Sequence, residues 1–285
     1  MTEAPTAPRP GEHGDHGREV AAGERFRFGA NWTAFLSVLD EERIAQAERS
    51  LTDALEVTGL EGVRAVDVGS GSGLFSLAAH RLGARVTSFD FDPQSVACTA
   101  ELRRRYAPDS PRWRVLEGSV LDDAFIGGLG TFELVYSWGV LHHTGAMWDA
   151  IDRATTLVAP GGRLFIALYN DQGRRSQAWR LIKQVYCGSA LGRAAVLGAF
   201  VPYFLGRAAA GDVLRGENPL ARHRDYRQRG MSTIHDAIDW LGGLPFEVAS
   251  PGTVVDFLRR RGLILDRLTT VGAAHGCNEF IARRP

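Results

Sequence analysis

The sequence predicts an α/β fold: a doubly wound, mainly parallel seven-stranded sheet carrying a helical lid. Three observations predict it. Short apolar runs alternate with amphipathic stretches of helical period from about residue 60 to residue 170. A Gly-rich turn, "VDVGSGSG", joins the first apolar run to the first of those helices. After a long interruption the alternation resumes near residue 244 and closes on two further strands.

The elements follow in order. Residues 1–24 are rich in proline, glycine and charge and lack an apolar core, so they read as a disordered tail, neither signal peptide nor anchor. Residues 25–59 form a helical cap: Phe35, Leu36 and Leu39, then Ile44, Ala47, Leu51 and Leu55, recur at helical spacing. A core spans 60–170. In it "RAVDVG", "RVTSFDFD", "WRVLEG", "FELVYSW" and "RLFIALYN" are strands. "PQSVACTAELRRRYA" is a helix with Pro93 in its first turn, and "MWDAIDRATTLVA" is a helix stopped by "PGG". Residues 171–243 hold no clear strand and are too many for a loop, so they read as a helical lid inserted over the sheet. Residues 244–285 complete the core with a helix and two strands.

Acidic and basic residues balance at 33 each, so no global field draws nucleic acid or an anionic membrane. No basic stripe with interleaved aromatics is present, which points away from nucleic acid and toward a small-molecule partner. No run reaches the roughly eighteen apolar residues of a membrane span. Three scattered cysteines suit a reducing cytoplasm and supply neither a disulfide framework nor a zinc site.

The chemistry-bearing residues cluster at strand ends. Gly69, Gly71 and Gly73 leave backbone amides open to a ligand, and Asp90 closes the second strand at a spacing suited to a ribose diol. Leu74 stands where a dinucleotide fingerprint wants glycine or alanine. His142 and His143 follow strand four; neighbours on a helix start project about 100° apart, so they do not chelate one metal, and no metal site is expected. They read either as local structure or as a substrate-facing base. Tyr169, Asn170, Asp171 and Gln172 lie at the end of strand five, where open α/β sheets place ligands. Beyond them Ser176, Trp179, Lys183 and Tyr186 share a helix face, and Lys183 is the only lysine of an otherwise arginine-based chain. The apolar run 193–207 suits packing on the core or on a twin subunit, so a homodimer through the lid is one reading.

The ordered motifs "AVDVGSGSG", "SFDFDP", "LEGSVLDD", "FELVYSWGVLHHT" and "LVAPGGRLFIALYN" resemble those of the class I S-adenosylmethionine-dependent methyltransferases, over about 60–170 and more loosely 245–283. The resemblance implies a Rossmann-like fold with S-adenosyl-L-methionine as cofactor. Asp67, Gly69, Gly71 and Gly73 would hold its methionine end, Asp90 its ribose, and Phe91, Ser119 and Val120 its adenine. Ser137 and Trp138 would face the sulfonium. Ser119 departs from the aspartate common in relatives, which puts the contact to the adenine amino group in doubt. The expected activity is methylation of a small molecule at oxygen, nitrogen or carbon. His142, His143, Tyr169 and Asn170 are the expected catalytic group; Trp32, Asp171, Trp179, Lys183, Tyr186, Arg222 and His235 are the expected acceptor contacts. Two alternatives stand beside it: a cyclase or aminopropyl-type transferase releasing methylthioadenosine, and a non-catalytic cofactor-binding subunit.

Overall fold

A computed structural model describes residues 16–216, 241–272 and 276–285. Seven strands form one sheet: β1 (Arg64–Val68), β2 (Arg85–Asp90), β3 (Trp113–Glu117), β4 (Phe132–Trp138), β5 (Val158–Tyr169), β6 (Ile264–Thr269) and β7 (Cys277–Arg283). Their order is β3-β2-β1-β4-β5-β7-β6, with only β7 antiparallel to its neighbours. The chain reverses between β1 and β4, so the carboxyl ends of those strands open a crevice there.

Two apolar layers cover the sheet. On one face lie α2 (Phe28–Leu36), α3 (Glu41–Leu55), α4 (Leu74–Arg81) and α5 (Pro93–Tyr106). The buried side chains of α3, Ile44, Ala47, Leu51 and Leu55, recur at helical spacing, and Asp40 caps its first turn by accepting from the Arg43 amide. On the other face lie α6 (Asp123–Leu129), α7 (Met147–Thr156) and α10 (Pro251–Arg260). Between β5 and α10 the chain leaves the sheet through α8 (Arg174–Gly188) and α9 (Ala190–Leu214). Tyr186, Val196 and Leu241 make a small separate core there. Among the described residues no helix is long and apolar enough to cross a membrane.

Two local expectations change, and one helix joins those expected. Residues His16–Ala21 of the expected tail form a helix, α1, and the segment after it is tied down: Arg25 pairs with Glu19, and the Phe26 amide donates to the Leu244 carbonyl. "PGG" does not separate α7 from β5. It lies inside β5 as a register shift, with Gly162 pressed between the carbonyls of Ala159 and Phe132. Helix α6 has two glycines and a weak pattern; its sequence signal is Asp122, which accepts from the amides of Ala124 and Phe125.

Candidate functional site

The expected donor side is built by the turn after β1. Gly71 and Gly73 sit at φ +55° and +81°, a region side chains disfavour. A Cβ on Gly71 would lie 2.9 Å from Trp32 Nε1, and one on Gly73 would lie 2.9 Å from Thr99 Cα; Gly69 is covered by Val140. The glycines are thus demanded by conformation and by close packing of protein on protein. The loop amides, expected to face a ligand, are largely consumed internally. Those of Gly69 and Ser70 donate to the Phe89 carbonyl, that of Gly71 to Asp90 Oδ2, and that of Gly73 to the Ser70 carbonyl. The reason is steric: a turn this tight brings its own acceptors within reach before any ligand.

Asp90 is the hinge of this arrangement. It takes the Gly71 amide on one oxygen and the Asp92 amide on the other, each at 2.9 Å. Burial pushes its carboxyl up to about 6, against those amide bonds, which hold it down. Phe91 beside it is flanked by His16, edge-on at 5.6 Å, and by the Arg25 guanidinium at 5.1 Å. Asp92 caps α5 and accepts from the Gly29 amide, which docks α2 across the crevice. Trp32, expected on the acceptor side, therefore lies against the glycine turn. Arg25 also donates to the His143 carbonyl at 3.0 Å, so one side chain spans the Phe91 side and the histidine side.

Other expected donor-side residues lie deeper. Asp67 points into the sheet's apolar layer, where Ser76 Oγ donates to it at 2.6 Å; Ser76 in turn meets Ser88, which takes the Trp113 indole N–H. Burial raises the Asp67 carboxyl to about 7. Ser137 Oγ donates to the Val68 carbonyl and ties β4 to β1. Ser119 Oγ accepts from the Leu121 amide, and Val120 is part of the core. Trp138 donates to Glu279 Oε1 at 2.8 Å; Trp138 and Glu279 both lie in register with Ala167, on either side of it.

The expected acceptor side gathers around Tyr169. His142 lies 4.0 Å from its ring, His143 5.3 Å and Phe246 5.4 Å, and the Lys183 ammonium stands 5.7 Å from its centre. His142 and Lys183 are completely buried. His143 Nδ1 meets the Pro245 carbonyl at 2.6 Å; a carbonyl only accepts, so Nδ1 carries the proton and Nε2 keeps a lone pair. Burial, then the Lys183 charge, hold His143 down at about 3. Burial, His143 and Lys183 push His142 well down too, the Ala167 carbonyl pulling weakly the other way. Neither His142 ring nitrogen has a hydrogen-bond partner of good geometry. Phe246 and Arg25 had no local sequence signal: one arrives from beyond the lid, the other from the expected cap's edge.

The structure thus brings together His142, His143, Tyr169 and Lys183, and separates others. Asn170 donates to the Gly272 carbonyl and accepts from Asn278, which fastens β5 to the β6–β7 turn. Asp171 caps its own turn through the Gly173 amide. Ser176, Lys183 and Tyr186 do share the buried face of α8, but Tyr186 packs on Phe26 and Trp179 on Phe200, within the lid's own core. Arg222 and His235 lie outside the described residues. Among the described residues no group of three or more His, Cys, Asp or Glu is placed to hold a metal ion.

Both histidines are expected to stay neutral from pH 8 to pH 5. In an NMR titration, two of the chain's eight imidazoles, assigned by His142→Gln and His143→Gln, should show no midpoint near 6.5. A normal midpoint for either ring contradicts the buried arrangement. The sign for stability follows: the unfolded chain takes up these protons below about 6.5 and the folded chain does not, so stability falls as pH drops through that range. Asp67 and Asp90, with raised values, act oppositely, their burial cost being relieved as pH falls from about 7 toward their unfolded range.

Residues 66–164 match the family model described as "Methyltransferase domain". This segment resembles the domain that the model describes. Curated relatives named "Ubiquinone biosynthesis O-methyltransferase" agree with it. The protein of Methylocella silvestris is 31% identical over 166 residues, 50% of this chain and 60% of the relative. That of Caulobacter sp. is 29% identical over 141 residues, 47% of this chain and 51% of the relative. The chain spans about half the length of the curated relatives it matches. An O-methyltransferase family protein from Burkholderia thailandensis superposes with a TM-score of 0.52 at 14% identity, covering 94% of this chain and 67% of that one. The 1,6-didemethyltoxoflavin-N1-methyltransferase of the same organism, solved with its substrate and S-adenosylhomocysteine, gives 0.50 at 18% identity, covering 99% and 93%. At such identity these two show the fold alone. The matched segment runs from within β1 to within β5 and holds both histidines, while Trp32, Arg25, Lys183 and Phe246 come from outside it.

Proposed function

We propose that this chain is an S-adenosylmethionine-dependent methyltransferase acting on a small-molecule acceptor in the cytoplasm. The observation that carries the reading is the methyltransferase domain, with Asp90 at the β2 tip locked to the glycine turn. The residues fit the cofactor: a buried carboxylate of raised pKa favours hydroxyl donors such as a ribose diol, and Phe91 offers a ring face next to it. When bound, the cofactor supplies a methyl group on a sulfonium, open to in-line attack.

The chain's own residues hold and exclude. Asp90 and Phe91 would hold the adenosyl part, with Trp32 closing the turn from above. Tyr169, His142, His143 and Phe246 wall the acceptor side with rings, keeping water away and fixing the approach line. His143 Nε2, neutral across the physiological range, can take a proton from an acceptor hydroxyl or amine. Asp67, Ser137 and Asn170 hold strands in place.

The test is direct. The full chain should bind S-adenosylhomocysteine by calorimetry. With S-adenosylmethionine and a panel of small phenols and amines it should release S-adenosylhomocysteine together with a methylated product. Release of methylthioadenosine would replace this reading with a cyclase or aminopropyl-type transfer. Binding without turnover on any acceptor would leave a cofactor-binding subunit.

A further inference from the structure

Residues 16–29 touch both sides of the crevice. Helix α1 has six residues and buries none of them, so contacts outside it must hold it in place. Those contacts lead to the tip of β2. His16 stands edge-on to Phe91 at 5.6 Å and 3.5 Å from Asp92 Oδ2, and the Gly29 amide donates to the same oxygen at 2.8 Å. On the histidine side Phe28 meets the His143 ring at 5.0 Å. Arg25 joins the two sides. Its guanidinium pairs with Glu19 of α1, lies 5.1 Å from the centre of the Phe91 ring and donates through Nη1 to the His143 carbonyl at 3.0 Å. A flat, rigid fork of N–H donors can serve a carboxylate, a ring face and a carbonyl at once; an ammonium on a flexible stem does not hold all three in one geometry. The carbonyl that Arg25 takes belongs to the turn Leu141–His143, which carries both imidazoles. The His143 ring is fastened separately, by the Pro245 carbonyl at 2.6 Å. A shift of the guanidinium therefore reaches His143 through one hydrogen bond and Phe91 through direct contact.

Building on the methyltransferase reading, we propose that Arg25 is a positioning residue that couples the donor side to His143. An adenosyl group beside Phe91 settles that ring, the ring settles the guanidinium, and the guanidinium settles the turn that carries His143. No covalent bond forms or breaks in this relay. The coupling runs both ways, so a firmly placed His143 turn also favours the bound cofactor. Arg25 lies ahead of residues 66–164, so the resemblance of that segment to a methyltransferase domain does not by itself imply the link.

The experiment titrates the full chain, labelled in its histidine rings, with S-adenosylhomocysteine. Calorimetry reads the Kd, and NMR reads the His143 resonance, assigned by His143→Gln. Saturation should shift that resonance in the wild type, although the ligand lies on the Phe91 side. In Arg25→Met the ligand should still bind, about three- to ten-fold more weakly, and the His143 shift should be lost. Arg25→Lys should recover part of the affinity, through a cation on the ring, but not the full shift. A residue that only stabilised the fold would lower Tm when removed and leave the shift of the saturated variant as in the wild type; that result overturns the proposal. So does a wild-type resonance that stays still at saturation. If Arg25→Met does not fold, the wild type and Arg25→Lys decide, a full shift in the lysine variant overturning the proposal. No binding of S-adenosylhomocysteine to the wild type would remove the methyltransferase reading and this inference together, whereas binding with an unmoved His143 sinks this inference alone.

Discussion

Asp90→Ala is expected to weaken S-adenosylhomocysteine binding by about 3 kcal/mol, on the order of a hundred-fold in Kd. The carboxylate joins three things: the end of β2, the Gly71 amide and, in the proposed complex, the ribose hydroxyls. Removing it strips charged acceptors from donors in a site walled by Trp32 and Phe91, where water replaces them poorly. Asp90→Asn should fall between, because the amide keeps one acceptor but no charge. Calorimetry checks both, with thermal melting of the ligand-free variants to separate local loss from unfolding. An unchanged Kd for the alanine variant would remove Asp90 from the donor site.

Gly73→Ala is expected to cost about 2–4 kcal/mol of stability and to lower Tm by about 3–7 °C. Two effects add. The residue is left-handed at φ +81°, costing about 1–2 kcal/mol for any side chain, and the new methyl meets Thr99 Cα at 2.9 Å. That atom is backbone of α5, so it cannot swing aside. Gly161→Ala is the matched control, left-handed at φ +75° with open space around it, and should show the conformational cost alone. Equal losses in the two variants would mean that α4 and α5 part easily at this contact.

Much of the fold was legible because the sheet imposes a simple code. Val66 and Val68 fill one layer while Ala65 joins the other, and runs this apolar read as buried parallel strands. Caps and turns read equally well where one residue decides them, as Pro93 does at the start of α5. What could not be read was direction. Ser137 looks like a pocket residue by position, yet its hydroxyl turns to the Val68 carbonyl because the neighbouring strand is closer than any ligand. Asn170 is likewise taken by a turn more than a hundred residues away in sequence. Helix face was readable and neighbour was not: Lys183 and Tyr186 share a face of α8, but the crossing of the lid sends one to Tyr169 and the other to Phe26. Such partners depend on how whole elements cross, which no local pattern encodes.

Where the lid leaves and re-enters the sheet, its two ends touch. Asn170 and Ala249 form a parallel bridge, the Asp171 amide donates to the Ala249 carbonyl, and the Ala249 amide donates to that of Tyr169. The excursion is therefore anchored like a handle on a door, both screws in the same plate. Lengthening or exchanging the handle changes the closure entropy only slowly with its length and leaves the plate undisturbed. On the proposed reading, a chain built this way can trade one choice of acceptor for another by replacing a single contiguous stretch, while the half proposed to grip the methyl donor stays as it is.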